Sequence, residues 1–164
     1  MFCTAALHKF AAREFTDWTG LPDSCLLAEV TRLFRLVDEG AGLALLGEKK
    51  REFRRLIVEG YERPVRIWSD GPKLLMLDVD YPSFSIDTSA LLKDLGEPEA
   101  KLDYAWRTTR SEKGEWVYPD RGLALFLPTD ASTVLQLGVF PRTTMQGYKQ
   151  NFQLHLAKRF FPKR

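Results

Sequence analysis

The sequence predicts an α+β protein, with helices packed on one face of an antiparallel sheet made from two tandem helix-then-meander units and a C-terminal amphipathic helix closing the chain. Three observations point there. Apolar residues recur at helical spacing over residues 4–14, 26–37 and 85–96, then at strand spacing in the runs that follow each helical stretch. Gly- and Pro-containing turns punctuate those runs. Finally, "GEWVYPDRGLALFL" (114–127) echoes "RPVRIWSDGPKLLML" (63–77), each an aromatic and β-branched run broken by a turn and resumed as an apolar strand.

The elements follow in order. Leu7, Phe10 and Ala11 give the first segment an amphipathic helical stripe. "TGLPDS" (19–24) is a turn in which Asp23 or Ser24 suits the N-cap of the next helix. That helix carries Leu26, Val30, Leu33 and Val37 on one face and is expected to stop at "DEGAG", where Gly40 and Gly42 suit a left-handed cap. From Phe53 the period shortens. "FRRLIVEG", "PVRIWS" and "KLLMLDVDYP" read as a three-strand meander with a hairpin turn at "DGP" (70–72). "SIDTSALLKDLG" is a compact helix with Asp87 as N-cap and Gly96 as stop. "EPEAKLD" is an irregular connection. The strands "LDYAWRTT", "EWVY", "GLALFL" and "TVLQLGVFP" follow, separated by turns at "SEKG", "PDR" and "PTDAS". Met145, Tyr148, Phe152 and Leu156 then mark a basic amphipathic helix over residues 143–161. The units divide as residues 1–82 and 83–164 of one compact domain. Their meanders end alike, in "DVDYP" and "LGVFP", which reads as an internal duplication.

Composition narrows the function. Apolar residues make up 45% and charged residues 28% of the 164, an ordinary globular balance. The net charge of +2 is unevenly spread: residues 142–164 hold six basic and no acidic residues, leaving the rest at −4. Such a tail suits phosphates, but Lys and Arg on a packed helix normally just stay wet, so a nucleic-acid partner is disfavoured. No apolar run reaches membrane-spanning length, and the N-terminus lacks a signal-peptide pattern. Cys3 and Cys25 suggest neither a disulfide framework nor a metal knuckle. The expectation is a cytoplasmic protein with reduced thiols.

The layout resembles the β-lactamase inhibitory protein family, and is similar to small outer-membrane assembly lipoproteins carrying one copy of the unit. The stretch carrying the likeness is "DLGEPEAKLDYAW" (94–106) followed by "GEWVYPDRGLALFL". The family inhibitors are secreted and carry disulfides within their repeats, and none of their contact residues can be matched here. The resemblance implies a scaffold that presents a sheet face to a protein partner.

Motifs for catalysis are missing. His8 and His155 read as helix residues, Cys25 as a buried structural thiol, and "GLPDS" lacks the nucleophile-elbow spacing. No phosphate loop, HExxH or CxxC is present, so neither enzyme activity nor a metal or cofactor is expected. Acidic residues cluster at Asp78 and Asp80, then at Glu97, Glu99 and Asp103. Asp78 and Asp80 share a strand face, and with Glu97 they are the candidates for a carboxylate-lined ligand pocket or enzyme site. The aromatics offer another surface. With Val65, Ile67, Leu75, Leu77, Leu135 and Leu137 facing the helices, the opposite face would be open and display Trp68 beside Arg66, with Trp116, Tyr118 and Asp120. Tyr81, Tyr104 and Trp106 lie close to these in sequence. The leading expectation is a non-enzymatic protein-binding module, an inhibitor or immunity-type protein occluding a toxin or enzyme through those five residues.

Overall fold

In the computed structural model, residues 2–80, 82, 88–102, 112–128 and 133–155 are described. Helices α1 (Cys3–Ala11) and α2 (Leu27–Leu33) precede strands β1 (Arg35–Leu46), β2 (Lys49–Ile57), β3 (Val65–Asp70) and β4 (Lys73–Asp80). Helix α3 (Thr88–Leu95) precedes β5 (Ala100–Leu102), β6 (Glu112–Tyr118), β7 (Leu123–Pro128) and β8 (Gln136–Val139), and α4 (Met145–Asn151) follows. The mixed α+β class is as the sequence predicts.

Among the described residues, eight strands form one antiparallel sheet in the order β1-β2-β3-β4-β8-β7-β6-β5. Strands β1 to β4 follow one another across the sheet, as do β5 to β8 from its other edge, and β4 and β8 meet at the centre. Of the two similar endings, residues 78–80 lie in β4 and residues 137–139 in β8. The echo quoted above does not match in the same way. It aligns β3–β4, third and fourth in their meander, with β6–β7, second and third in theirs.

That offset arises because β1 reads as helix in the sequence. Helix α2 ends at Leu33, and Phe34 is already extended at φ −127°, ψ 155°. The stripe 26-30-33-37 also contains an alternation, 34-36, and pairing with β2 decides between them. Leu36 stands opposite Leu56, and Phe34 and Leu36 pack on the core while Leu33 is left exposed. Gly40 does adopt a left-handed φ of 84°, but inside a bulge of β1, where its carbonyl accepts from Arg55 Nη1 at 2.7 Å. The cap of α2 is also displaced: the backbone N–H of Leu26 donates to Glu29 Oε2 at 3.1 Å, and neither Asp23 nor Ser24 caps it.

Both sheet faces are covered. On the first, α1, α2 and α3 bury Leu7, Phe10, Val30 and Leu91 against Val65, Ile67, Leu77, Val79, Leu125 and Leu137. On the second, Tyr148 of α4 and the following Phe152 and Leu154 pack on Trp68, Met76, Val117, Ala124, Phe126 and Phe140. Burial on both faces explains why the central strands read as nearly continuous apolar runs. It also corrects the face assignment: Leu75 and Leu135 pack with the second cluster, not the helix side. Lys113 and Gly114 lie within β6 rather than in a turn, and residues 100–102 form β5. Helix α4 stops at Asn151, and Leu154 forms an isolated bridge with Leu46 at the end of β1; residues 156–161 of the expected helix lie outside the described residues.

Cys3 and Cys25 form a buried disulfide, which overturns the expectation of two reduced thiols. It ties the first turn of α1 to the loop before α2. The pairing is invisible in spacing alone, because the two residues meet only when α1 docks. Among the described residues, no helix is long and apolar enough to cross a membrane.

Candidate functional site

At the centre of the second face is a buried polar group. Side chains two apart on a strand share a face, so β3 sends Arg66 and Trp68 there and β4 sends Asp78. Arg66 Nε donates to Asp78 Oδ2 at 2.9 Å and Nη2 to Oδ1 at 3.1 Å. Trp68 Nε1 donates to Oδ2 at 2.6 Å and Gln136 Nε2 to Oδ1 at 2.8 Å. The guanidinium also lies over the Trp68 ring at 4.8 Å and the Phe53 ring at 5.5 Å.

This arrangement overturns the open aromatic face. Trp68 is 1% exposed and Arg66 is buried, because α4 and the segment after it cover the face expected to be bare. Tyr118 is 2% exposed and lies on the opposite, helix-covered face, where its hydroxyl donates to the Gly96 carbonyl at 3.0 Å. Burial, with Glu97 adding to it, pushes the Tyr118 phenol up to about 12. Trp116 is half-buried against that same core, with Lys101 Nζ 4.4 Å above its ring. The expected anchors are thus split between two faces and cannot form one surface. Only Asp120 is exposed, in the 3-10 turn between β6 and β7, where its carbonyl accepts from Arg142 Nε at 2.8 Å.

The carboxylate group is brought together in part. Asp78 and Asp80 share a face and border a cleft of about 280 Å³ with Arg55, Arg63 and Arg66. Glu97 is elsewhere, paired with Lys101 Nζ at 3.0 Å on the surface after α3. Asp78 is fully buried and accepts from four N–H groups of Arg66, Trp68 and Gln136, so its carboxylate ties β3, β4 and β8 together. Asp87, Asp103, Tyr81, Tyr104, Trp106, Leu156, Lys158, Arg159, Lys163 and Arg164 lie outside the described residues. His8 is exposed on α1, and His155 Nε2 lies 2.8 Å from the Gly47 carbonyl.

Two features were missed in the sequence. Glu115 is 4% exposed on the second face, where its carboxylate accepts from the Tyr148 hydroxyl and from Gln153 Nε2, the latter at 3.1 Å. Its signal was the alternation in "GEWVY": Glu115 and Val117 share one face, Trp116 and Tyr118 the other. The sulfurs of Cys3 and Cys25 and the Glu29 carboxylate also lie within 4.8 Å of one another, but the disulfide leaves no thiolate there to ligate a metal.

The second missed feature is the outer strand. Among the described residues, β1 pairs along its length with β2, and its other edge pairs only at Leu46, which bridges Leu154. Among the described residues the large exposed apolar side chains are Phe2, Leu26, Leu33, Leu43, Leu45 and Ile57. Leu43 is 67% exposed on β1 itself, and Leu33 and Ile57 line a broad groove with His8 and Ala11 of α1. Leu43 and Leu45 border a hollow of about 320 Å³ that reaches Trp68. Among the described side chains on β1, β2 and the turn between them, Arg35, Lys49, Lys50 and Arg54 are exposed, against exposed Glu48 and Glu52.

Compared with known proteins, the chain matches no protein-family model, no curated protein and no solved structure.

Proposed function

We propose that the protein is a non-enzymatic protein-binding module whose working surface is the outer edge of β1, not an aromatic sheet face. The occupant is an extended segment of a partner protein that adds as a further strand, apolar at alternate positions and acidic between them. One observation carries this reading: a long edge strand bears Leu43 and Leu45 exposed, and among the described side chains the exposed charges on β1, β2 and the turn between them are mainly cationic. Free N–H and C=O groups on such an edge supply affinity, and the flanking side chains supply selectivity. The helix-and-meander layout, read as a tandem duplication, and its resemblance to the β-lactamase inhibitory proteins support a scaffold that occludes a toxin or enzyme. A disulfide persists best in oxidising surroundings, so the expectation of a cytoplasmic protein loses its thiol argument.

The test uses two synthetic ten-residue peptides, alternating Val with Glu and Val with Lys, and fluorescence anisotropy against the intact chain. The Glu peptide should bind, weaken as salt rises, and lose at least about tenfold in affinity to the Leu43→Glu, Leu45→Glu variant, roughly 1.4 kcal/mol. Equal binding of both peptides, binding unaffected by the variant, or no binding would overturn the reading.

A further inference from the structure

We propose that Cys3, Cys25 and Glu29 form a redox-gated zinc site: when a dithiol opens the disulfide, the two sulfurs and the carboxylate bind one zinc ion. The ligand atoms are already gathered. The sulfurs of Cys3 and Cys25 and the Glu29 carboxylate lie within 4.8 Å of one another, and among the described residues no other three His, Cys, Asp or Glu side chains converge in this way. A tetrahedral zinc ion, with Zn–S bonds of about 2.3 Å and a Zn–O bond of about 2.1 Å, sets its ligand atoms roughly 3.6–3.8 Å apart. The sulfurs need only part to that separation once their bond is broken, and the carboxylate is within reach. The donor set is also selective. Two thiolates suit zinc rather than magnesium or calcium, and the carboxylate is the third ligand, with the fourth position left to water.

The fold holds these groups together by contacts other than the disulfide. Helix α1 is anchored by Leu7 and Phe10, both fully buried, and by the Tyr61 hydroxyl, which donates to the Phe10 carbonyl at 2.6 Å. Cys25 is pinned against the β3–β4 hairpin. Its carbonyl accepts from the Leu74 N–H at 3.1 Å, Leu26 bridges Lys73, and the Leu27 N–H donates to the Pro72 carbonyl at 2.8 Å. Glu29 is oriented by the Leu26 N–H, which donates to its Oε2 at 3.1 Å, as outer hydrogen bonds aim metal-binding carboxylates. Opening the site takes two electrons and two protons from the dithiol, which becomes a disulfide itself and leaves Cys3 and Cys25 as thiols. Zinc then displaces both thiol protons to solvent. A small-molecule disulfide reverses this, accepting two electrons as the Cys3–Cys25 bond re-forms and the ion leaves.

None of the three ligands belongs to β1, so the site stands or falls separately from the strand-edge reading. The test uses the full chain, reduced without oxygen by a phosphine so that no dithiol competes for metal. Cobalt(II) chloride is the probe, because thiolate ligation gives a sulfur-to-cobalt charge-transfer absorption. The reduced wild type should take up one cobalt ion per chain with that absorption and give it up to one equivalent of zinc, while the disulfide form should show neither. Cys3→Ser, Cys25→Ser and Glu29→Gln should each weaken binding at least about tenfold. Gln can keep the hydrogen bond from Leu26, so Glu29→Gln removes the charged ligand and spares the start of α2. Should a Cys variant not fold, Glu29→Gln, which retains both sulfurs, carries the test. No charge-transfer absorption in the reduced wild type, one cobalt ion shared by two chains, equal binding by the disulfide form, or unchanged affinity in Glu29→Gln would overturn the site. Circular dichroism follows the fold, and unfolding of the chain on reduction would also sink the proposal, since nothing would then hold the ligands together.

Discussion

Arg66 and Asp78 stand directly across from each other on β3 and β4, and the guanidinium reaches both carboxylate oxygens, at 2.9 and 3.1 Å. Both side chains are buried, and Trp68 and Gln136 also donate to the acid. Buried ion pairs add little net stability, because desolvation offsets their attraction, but losing one partner strands the other.

Arg66→Ala and Asp78→Ala should therefore each destabilise by about 3–5 kcal/mol in urea unfolding. The double variant should lose clearly less than the sum of the two. Additive losses would mean that the two charges are not coupled.

Trp68 and Leu43 give the complementary contrast. Trp68→Ala should cost about 3–5 kcal/mol, through a cavity in the second core and a lost donor to Asp78. Leu43→Ser, in water on β1, should stay within about 0.5 kcal/mol of the wild type. Equal effects would contradict the covered face and the bare edge together.

The disulfide joins residues 22 apart in sequence. Closing a loop of that size should contribute about 3 kcal/mol by constraining the unfolded chain. The Cys3→Ala, Cys25→Ala variant should unfold at correspondingly lower urea, and reductant should lower the wild type alone. Insensitivity of the wild type to reductant under unfolding conditions would refute a stabilising cross-link.

Much of the layout was legible because local rules suffice for it. The "DGP" turn joins β3 to β4, Gly96 ends α3 with a φ of 72°, and Asp78 and Asp80 share a face. Residues 26–37 were not legible, since their apolar residues fit a helix and a strand alike. Only Leu36 meeting Leu56 breaks the tie.

The sequence by itself determined the α+β class, most strands and turns, and the alternation within single strands. It set Trp68, Trp116 and Tyr118 on one open face, whereas the fold puts Trp68 on one face and Trp116 with Tyr118 on the other. Alternation carries no information on what covers a face. Tertiary structure decided that α4 and the residues after it close the second face, that Cys3 meets Cys25, and that β1 is left as the outer strand. Each depends on segments distant in the chain meeting in space, where burial and pairing outweigh the local preferences that a sequence displays.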